Sequence, residues 1–328
     1  MLLSILIPTY NRANSIDFNI SLLETYIHKN HLREMVNVIV SNNCSSDNTR
    51  DIIQKHKNQN VIEILYFEQK TNVGLEKNAL FVLDVATTKY VMYLGDDDYL
   101  QEEYLLEVLN SLKKYPNIGC IIPNNIAVDA NRNIIENSLR ETNIKTTLYD
   151  NGFNACLANA WRGHQMSALV LYREGLYDAY QKNNVHNLYP FIYFVSFNSL
   201  RMDVLHLVDY PVKITVVEQN KKDWNYGNTG LLIDIFDNFY RLKLTDYQRG
   251  QLERSIIVRN EWRYLRQPSQ KDINKAIESI VFNRRTSYNG KDFICDHVIT
   301  CHQYTAYTLK FLAPLYKFIR KVVNRIGL

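Results

Sequence analysis

The sequence predicts an α/β domain, a mostly parallel sheet flanked by helices, continued by a helical C-terminal region. Three observations carry that expectation. Short runs of apolar residues alternate with helical periodicity as far as about Asn124. The runs are apolar at successive positions, as strands covered on both faces must be. Polar clusters follow the ends of the runs directly, where open α/β sheets bind their ligands.

The elements follow in order. Leu2 to Pro8 reads as a buried strand, and Ile16 to Lys29 as a helix. Val36 to Ser41 is a second strand, and the Ser-Ser-Asp-Asn-Thr stretch after it opens a helix with Ser46 or Asp47 as N-cap. Ile62 to Gln69 is a third strand, Gly74 to Val85 a helix, and Lys89 to Gly95 a fourth strand ending in three acids. Glu102 to Lys114 is a helix and Ile118 to Asn124 a strand. Between Arg140 and Val217 the pattern is mixed: an apolar run in SALVLYR, a helix from His186 to Leu200, and a strand around VKITVVE. Leu231 to Ser279 reads as helical. The expected organisation is a domain over 1–217, a helical region over 218–303 and a basic tail over 304–328.

Composition excludes several classes. The chain has 328 residues, 46% of them hydrophobic, enough for a large core. A formal charge of +4 gives no reason to expect nucleic acid as a partner. Five cysteines, an odd number without C-x-x-C spacing, argue against a disulfide framework or a cysteine zinc site and fit a reducing cytosol. The N-terminal MLLSILIPTYNR lacks the basic start and long apolar core of a signal peptide. No run reaches about 18 unbroken apolar residues. A cytoplasmic protein is expected, peripheral on the inner face of the membrane. The tail from Thr305 to Leu328 supplies the contact: it interleaves apolar residues with Lys310, Lys317, Arg320, Lys321 and Arg325 and carries no acid.

The chemistry centres on Asp96, Asp97 and Asp98. Three carboxylates at a strand end repel one another, and a divalent cation relieves that repulsion. Oxygen ligands suit Mg²⁺ or Mn²⁺. A solvated turn capping the helix at Glu102 is the alternative. Such a cation also serves transfer from a nucleoside diphosphate, where negative charge develops on the leaving group.

Four segments carry a resemblance: SILIPTYNR at 4–12, VIVSNNCSSDNT at 38–49, NVGLEKNAL at 72–80 and MYLGDDDYL at 92–100. In this order and spacing they resemble family 2 glycosyltransferases of the GT-A fold, in the branch with abequosyltransferase-like enzymes of O-antigen synthesis. The resemblance implies an inverting transferase. It moves a sugar from a nucleotide-diphosphate donor to a hydroxyl of a glycan acceptor, lipid-linked in envelope synthesis. Pro8, Thr9, Tyr10, Asn11 and Arg12 would line the nucleotide pocket. Asn42 falls where the family usually places a base-reading Asp. Asn72, Gly74, Lys77, Asn78 and Asp96 would complete the donor site. Gly95 stands at the first position of the family's Asp-x-Asp motif, Asp97 at the second and Asp98 at a further acidic position. Asp97 is therefore the expected metal ligand, with Asp98 or Asp96 taking the missing role, and Asp98 is also counted among the catalytic residues.

The acid pair that the family usually supplies as general base has no counterpart between 160 and 200. His186 is the expected base and His164 its rival, with Glu174 and Asp178 as outsiders. Trp224 and Tyr226 are expected in a loop over the bound sugar. His297 and His302 are discounted as metal ligands. Two other functions compete. A nucleotidyltransferase would want a glycine-rich basic loop after its first strand, which IPTYNRANS lacks. A degenerate glycan-binding scaffold would explain the missing acids.

Overall fold

The computed structural model describes residues 1–216, 230–261 and 269–300. The chain divides into two compact units, Met1–Gln181 with Phe194–Lys222, and Lys182–Tyr193 with Asp223–Leu328. Residues 182–193, which fall inside the domain expected over 1–217, belong to the second unit.

The first unit is built on one eight-stranded sheet ordered β3-β2-β1-β4-β7-β5-β8-β6. Its strands are β1 (Leu3–Thr9), β2 (Val36–Asn42), β3 (Ile64–Glu68), β4 (Tyr90–Tyr93), β5 (Ile118–Val128), β6 (Thr147–Tyr149), β7 (Val170–Tyr172) and β8 (Asp203–Thr215). β1 to β4 run parallel, as do β5 and β8. β7 runs against both β4 and β5, and β6 against β8. The sheet is therefore mixed, with an unbroken parallel block at one side.

Helices α1 (Ala13–Lys29), α2 (Thr49–Gln59), α3 (Leu75–Val85) and α4 (Glu102–Lys114) connect the strands of that block and lead on to β5. They explain why β1, β2 and β4 are buried at every residue. β3 lies at the sheet edge and is only partly covered. The core runs through Ile5, Ile20, Val38, Met92, Leu105 and Val170, and links both halves of the sheet.

The segment from 140 onward departs furthest from expectation. It holds β6, α5 (Phe153–Asn159), a 3₁₀ turn (Ala160–His164), β7 and α6 (Leu176–Lys182). The helix expected to begin at His186 is α7, Pro190–Ser199. Proline fits a first helical turn, where its missing N–H is no loss. Before it, the Asn187 side chain accepts a hydrogen bond from the Tyr189 N–H at 2.8 Å and shapes a turn. β8 begins nine residues before the predicted strand and changes register against β5 between Pro123 and Asn125.

Four helices make up most of the described second unit: α8 (Gly230–Tyr240), α9 (Asp246–Arg259), α10 (Gln270–Val281) and α11 (Tyr288–Thr300). Thr245 and Gln248 form a reciprocal capping box on α9. Glu253 of α9 is fully buried and accepts hydrogen bonds from the Ser287 backbone N–H and hydroxyl at the start of α11. Burial pushes its carboxyl up to about 7 against those hydrogen bonds. Among the described residues no helix is long and apolar enough to cross a membrane. The basic tail lies outside them.

Candidate active site at the carboxyl edge of the sheet

β2, β1 and β4 lie side by side and parallel, so their carboxyl ends open on one edge. Residues 8–12, 42–48 and 95–98 follow those ends.

The first two loops are knitted by short polar side chains. The Asn43 N–H donates to the Thr9 carbonyl at 2.9 Å. Asn11 adopts a left-handed backbone, φ 52°, which asparagine tolerates. Its N–H donates to Ser45 Oγ at 2.8 Å, and its Oδ1 accepts from the Ser46 N–H at 2.8 Å. Asp47 ties two helix starts together: its carboxylate accepts from the Ala13 N–H of α1 at 3.1 Å and from the Thr49 N–H of α2 at 3.0 Å. The N-cap of α2 is Asn48 and not Ser46 or Asp47 as expected; it makes no side-chain cap bond, and Asp47, one residue before it, accepts from Thr49 instead. Burial raises the Asp47 carboxyl, but the hydrogen bonds from Thr49 and Ala13 leave it below its usual value.

The third polar loop joins through Asn43. Its Oδ1 accepts from the Val73 N–H at 2.8 Å, and its Nδ2 donates to Asn72 Oδ1 at 2.9 Å. Gly74 follows with φ 85°, a backbone that favours glycine. Asn72 and Gly74 are exposed, as is Lys77 on the first turn of α3. Asn78 is buried and pairs both ways with Ser41: it accepts from Ser41 Oγ at 2.6 Å and donates to the Ser41 carbonyl at 3.1 Å. Asn42 is also fully buried. Its Oδ1 accepts from the Ser45 N–H at 3.0 Å and its Nδ2 donates to Tyr66 Oη at 3.2 Å. Of the predicted site residues, Tyr10, Asn11, Arg12, Asn72, Gly74 and Lys77 are exposed at this side of the edge, whereas Asn42 and Asn78 brace the loops from beneath.

The acidic turn splits the three aspartates. Asp96 accepts from Thr9 Oγ1 at 2.7 Å. The Arg12 guanidinium stands 3.9 Å from Asp96 Oδ1 and 3.9 Å from Asp97 Oδ2. The Asp97 side chain is 27% exposed and that of Asp96 13%. Burial, with the charge of Asp97 beside it, pushes the Asp96 carboxyl up to about 7. Asp98 turns inward and is 6% exposed. Its Oδ2 accepts from the Ser167 hydroxyl and, at 3.2 Å, from Gln165 Nε2. Its Oδ1 accepts from the Thr215 N–H at 2.9 Å. Burial first, then Asp97, also raises this carboxyl to about 7. From the other side Asn19 of α1 donates to the carbonyls of Gly95 and Asp98 at 3.0 and 2.9 Å. The turn is thus gripped by Asn19, Gln165, Ser167 and Thr215. Sequence reading singled out none of these, because each acts through an ordinary polar residue far away in the chain.

The two histidines stand on different units. His164 ends the 3₁₀ turn of the first unit, exposed, three residues before Ser167. His186 is exposed in the second unit, its Nε2 at 3.1 Å from Asn184 Oδ1. His297 sits 2.7 Å from Glu261 and stacks on Phe293. No group of three or more His, Cys, Asp or Glu side chains arranged to hold a metal occurs among the described residues. Trp224, Tyr226 and His302 lie outside them.

Comparison with known proteins agrees with this architecture. A stretch of 105 residues, 32% of the chain, is 30% identical to the abequosyltransferase RfbV of Salmonella typhimurium and covers 31% of that protein. Over 105 residues the chain is 28% identical to the poly(ribitol-phosphate) β-N-acetylglucosaminyltransferase TarS of Staphylococcus aureus, covering 18% of it. These alignments span less than a third of either relative. The crystal structure of TarS residues 1–349 with UDP-GlcNAc superposes with a TM-score of 0.68 at 17% identity, covering 100% of this chain and 92% of that one. That likeness establishes the shared GT-A fold. The model of glycosyl transferase family 2 matches residues 4–167, the stretch that contains every loop of the carboxyl edge described above, and the chain therefore belongs to that family of glycosyltransferases.

Proposed function

We propose that this glycosyltransferase moves a sugar from a nucleotide-diphosphate donor to a hydroxyl of a cell-surface glycan, with inversion and with help from a divalent cation. The acceptor in this reading is lipid-linked, and the basic tail brings the enzyme to the inner face of the membrane. The observation that carries the proposal is the pairing of Asp96 and Asp97 beside Arg12 and Thr9 at the carboxyl edge.

The donor set fits Mg²⁺ or Mn²⁺. Two adjacent carboxylates offer hard oxygen ligands, and a cation would relieve the burial and mutual repulsion that raise the Asp96 carboxyl. A bound cation neutralises charge on the departing diphosphate. Asp97, the more exposed of the pair, is the main ligand. Asp96, fixed by Thr9, faces the donor beside it. Arg12 balances the two acids and lies where it can meet a phosphate oxygen. Tyr10, Asn11, Asn72, Gly74 and Lys77 form the rim for the nucleoside, and Pro8, Asn42 and Asn78 hold that rim in place. The acceptor hydroxyl loses its proton to a histidine, His186 or His164.

A panel of nucleotide sugars tests this reading. The purified protein, with Mn²⁺, Mg²⁺ or EDTA, should hydrolyse or transfer from one donor class in a metal-dependent way. His186→Ala and His164→Ala should then differ, the base variant losing transfer while keeping donor binding. A folded protein that turns over no donor with either metal refutes the proposal.

A further inference from the structure

We propose that Asp98 is a positioning residue for sugar transfer and not a metal ligand: its carboxylate locks the acidic turn to the Gln165–Ser167 segment and to the end of β8. The inference rests on the reading of Asp96 and Asp97 as the pair that meets metal and donor.

The carboxylate of Asp98 is spent inside the protein. A carboxylate offers about four lone-pair sites. Three are taken by Ser167 Oγ, Gln165 Nε2 and the Thr215 N–H. The group is 6% exposed and turned away from the edge on which Asp97 opens. A cation would have to displace these donors and leave them buried without partners.

Gly95 belongs to the same device. Its N–H donates to Ser167 Oγ at 2.9 Å. A Cβ at this position would lie 2.8 Å from Asp98 Oδ2 and 2.8 Å from Ser167 Oγ. The carboxylate at 98 and a side chain at 95 therefore compete for one space.

The lock also reaches Asp97. Thr215 Oγ1 donates to the Asp97 carbonyl, while its N–H holds Asp98. Residues 69 and 117 positions away are thereby fixed to the turn. Tyr99 and Lys213 add a reciprocal backbone pair at 2.9 and 3.0 Å. Asp97 is aimed by this frame, and small displacements of a group that must meet the reacting diphosphate are costly, about 100-fold for roughly 1 Å.

The test separates metal binding from turnover. Mn²⁺ binding is measured by electron paramagnetic resonance with UDP or GDP present, and kcat with the donor found in the nucleotide-sugar panel. Asp97→Asn should weaken Mn²⁺ at least about tenfold. Asp98→Asn and Ser167→Ala should weaken Mn²⁺ by less than Asp97→Asn does, because Asp97 itself stays in place, yet lower kcat about tenfold or more. The double variant should lose no more than the worse single one, since both remove the same lock. If Asp98→Asn does not fold, as judged by circular dichroism, Ser167→Ala and Gln165→Leu carry the test, each removing one donor. Mn²⁺ loss in Asp98→Asn equal to that in Asp97→Asn overturns the proposal. So does an unchanged kcat in Ser167→Ala. Wild-type protein that is folded and binds no Mn²⁺ would instead overturn the metal reading of the turn, and this inference with it.

Discussion

Replacing Asn19 by leucine should damage the acidic turn without touching an acid. The Asn19 side chain is buried in α1, and its Nδ2 donates to two carbonyls of the turn, Gly95 at 3.0 Å and Asp98 at 2.9 Å. Leucine has nearly the same shape and no donor. Each hydrogen bond is worth about 1 kcal/mol net, and a buried carbonyl left without a partner costs about 1–3 kcal/mol. The Gly95 carbonyl keeps the Asp98 N–H at 3.3 Å, whereas the Asp98 carbonyl loses the Asn19 donor, so the variant should be destabilised by about 1–3 kcal/mol. Asn19→Asp should be worse at high pH. Its carboxylate would face two carbonyl oxygens, whereas the protonated form can still donate to one. The group's pKa is then raised in the folded state, and its penalty grows as pH rises above the ordinary aspartate range. Urea denaturation at pH 5 and pH 8, followed by tryptophan fluorescence, measures both effects. A loss in Asn19→Leu below about 1 kcal/mol, with metal-dependent turnover intact, would show that the turn does not depend on this clamp.

Three further outcomes are expected. Thr9→Val removes the donor to Asp96 at 2.7 Å, so the carboxyl should titrate still higher and the half-saturating Mn²⁺ concentration at pH 7 should rise about tenfold, with recovery toward pH 8.5; a pH-independent Mn²⁺ curve in this variant would contradict it. Glu253 has a folded-state value of about 7, above its unfolded value, so it holds a proton in the folded chain that the unfolded chain releases, and stability falls as pH rises from about 4.5 toward 7. Glu253→Gln should flatten that part of the melting-temperature profile, and an unchanged slope would assign the effect elsewhere. In a Cys301→Ser background, Cys44 should react with Ellman's reagent at once, whereas Cys120, Cys156 and Cys295 are buried and should react only on unfolding, burial pushing the last two up to about 12; more than one fast thiol would contradict the packing of the cores.

The parallel block was legible because β1, β2 and β4 are buried on both faces, which forces apolar runs, and because the helices between the strands keep a regular period. The loops at its carboxyl ends were legible for the same reason: a strand end is visible wherever an apolar run meets Pro8-Thr9, Asn42-Asn43 or the three aspartates. Later elements were harder to read. β6 and β7 have three residues each, too few to show a period, and the early part of β8 gives no signal apart from its pairing with β5 and β6. Within the site, the spacing of the acids says nothing about which carboxylate faces solvent. Asp97 and Asp98 are adjacent, yet a tertiary partner set centred on Ser167 and Thr215 draws one inward and leaves the other partly exposed. Asn42 likewise reads as a ligand-facing amide, but its two polar atoms are engaged by Ser45 and Tyr66.

Nucleotide binding as a function of metal tests the central claim most directly. Isothermal titration of the wild-type protein and of Asp97→Ala with UDP, GDP and dTDP, each with Mn²⁺ or EDTA, isolates the acidic turn from the unidentified acceptor. The account predicts that one nucleotide binds the wild type, at least about tenfold more weakly in EDTA, and that Asp97→Ala is insensitive to the metal. Equal binding by the two proteins in Mn²⁺, or wild-type binding that EDTA does not change, would contradict a metal-assisted transfer centred on Asp97.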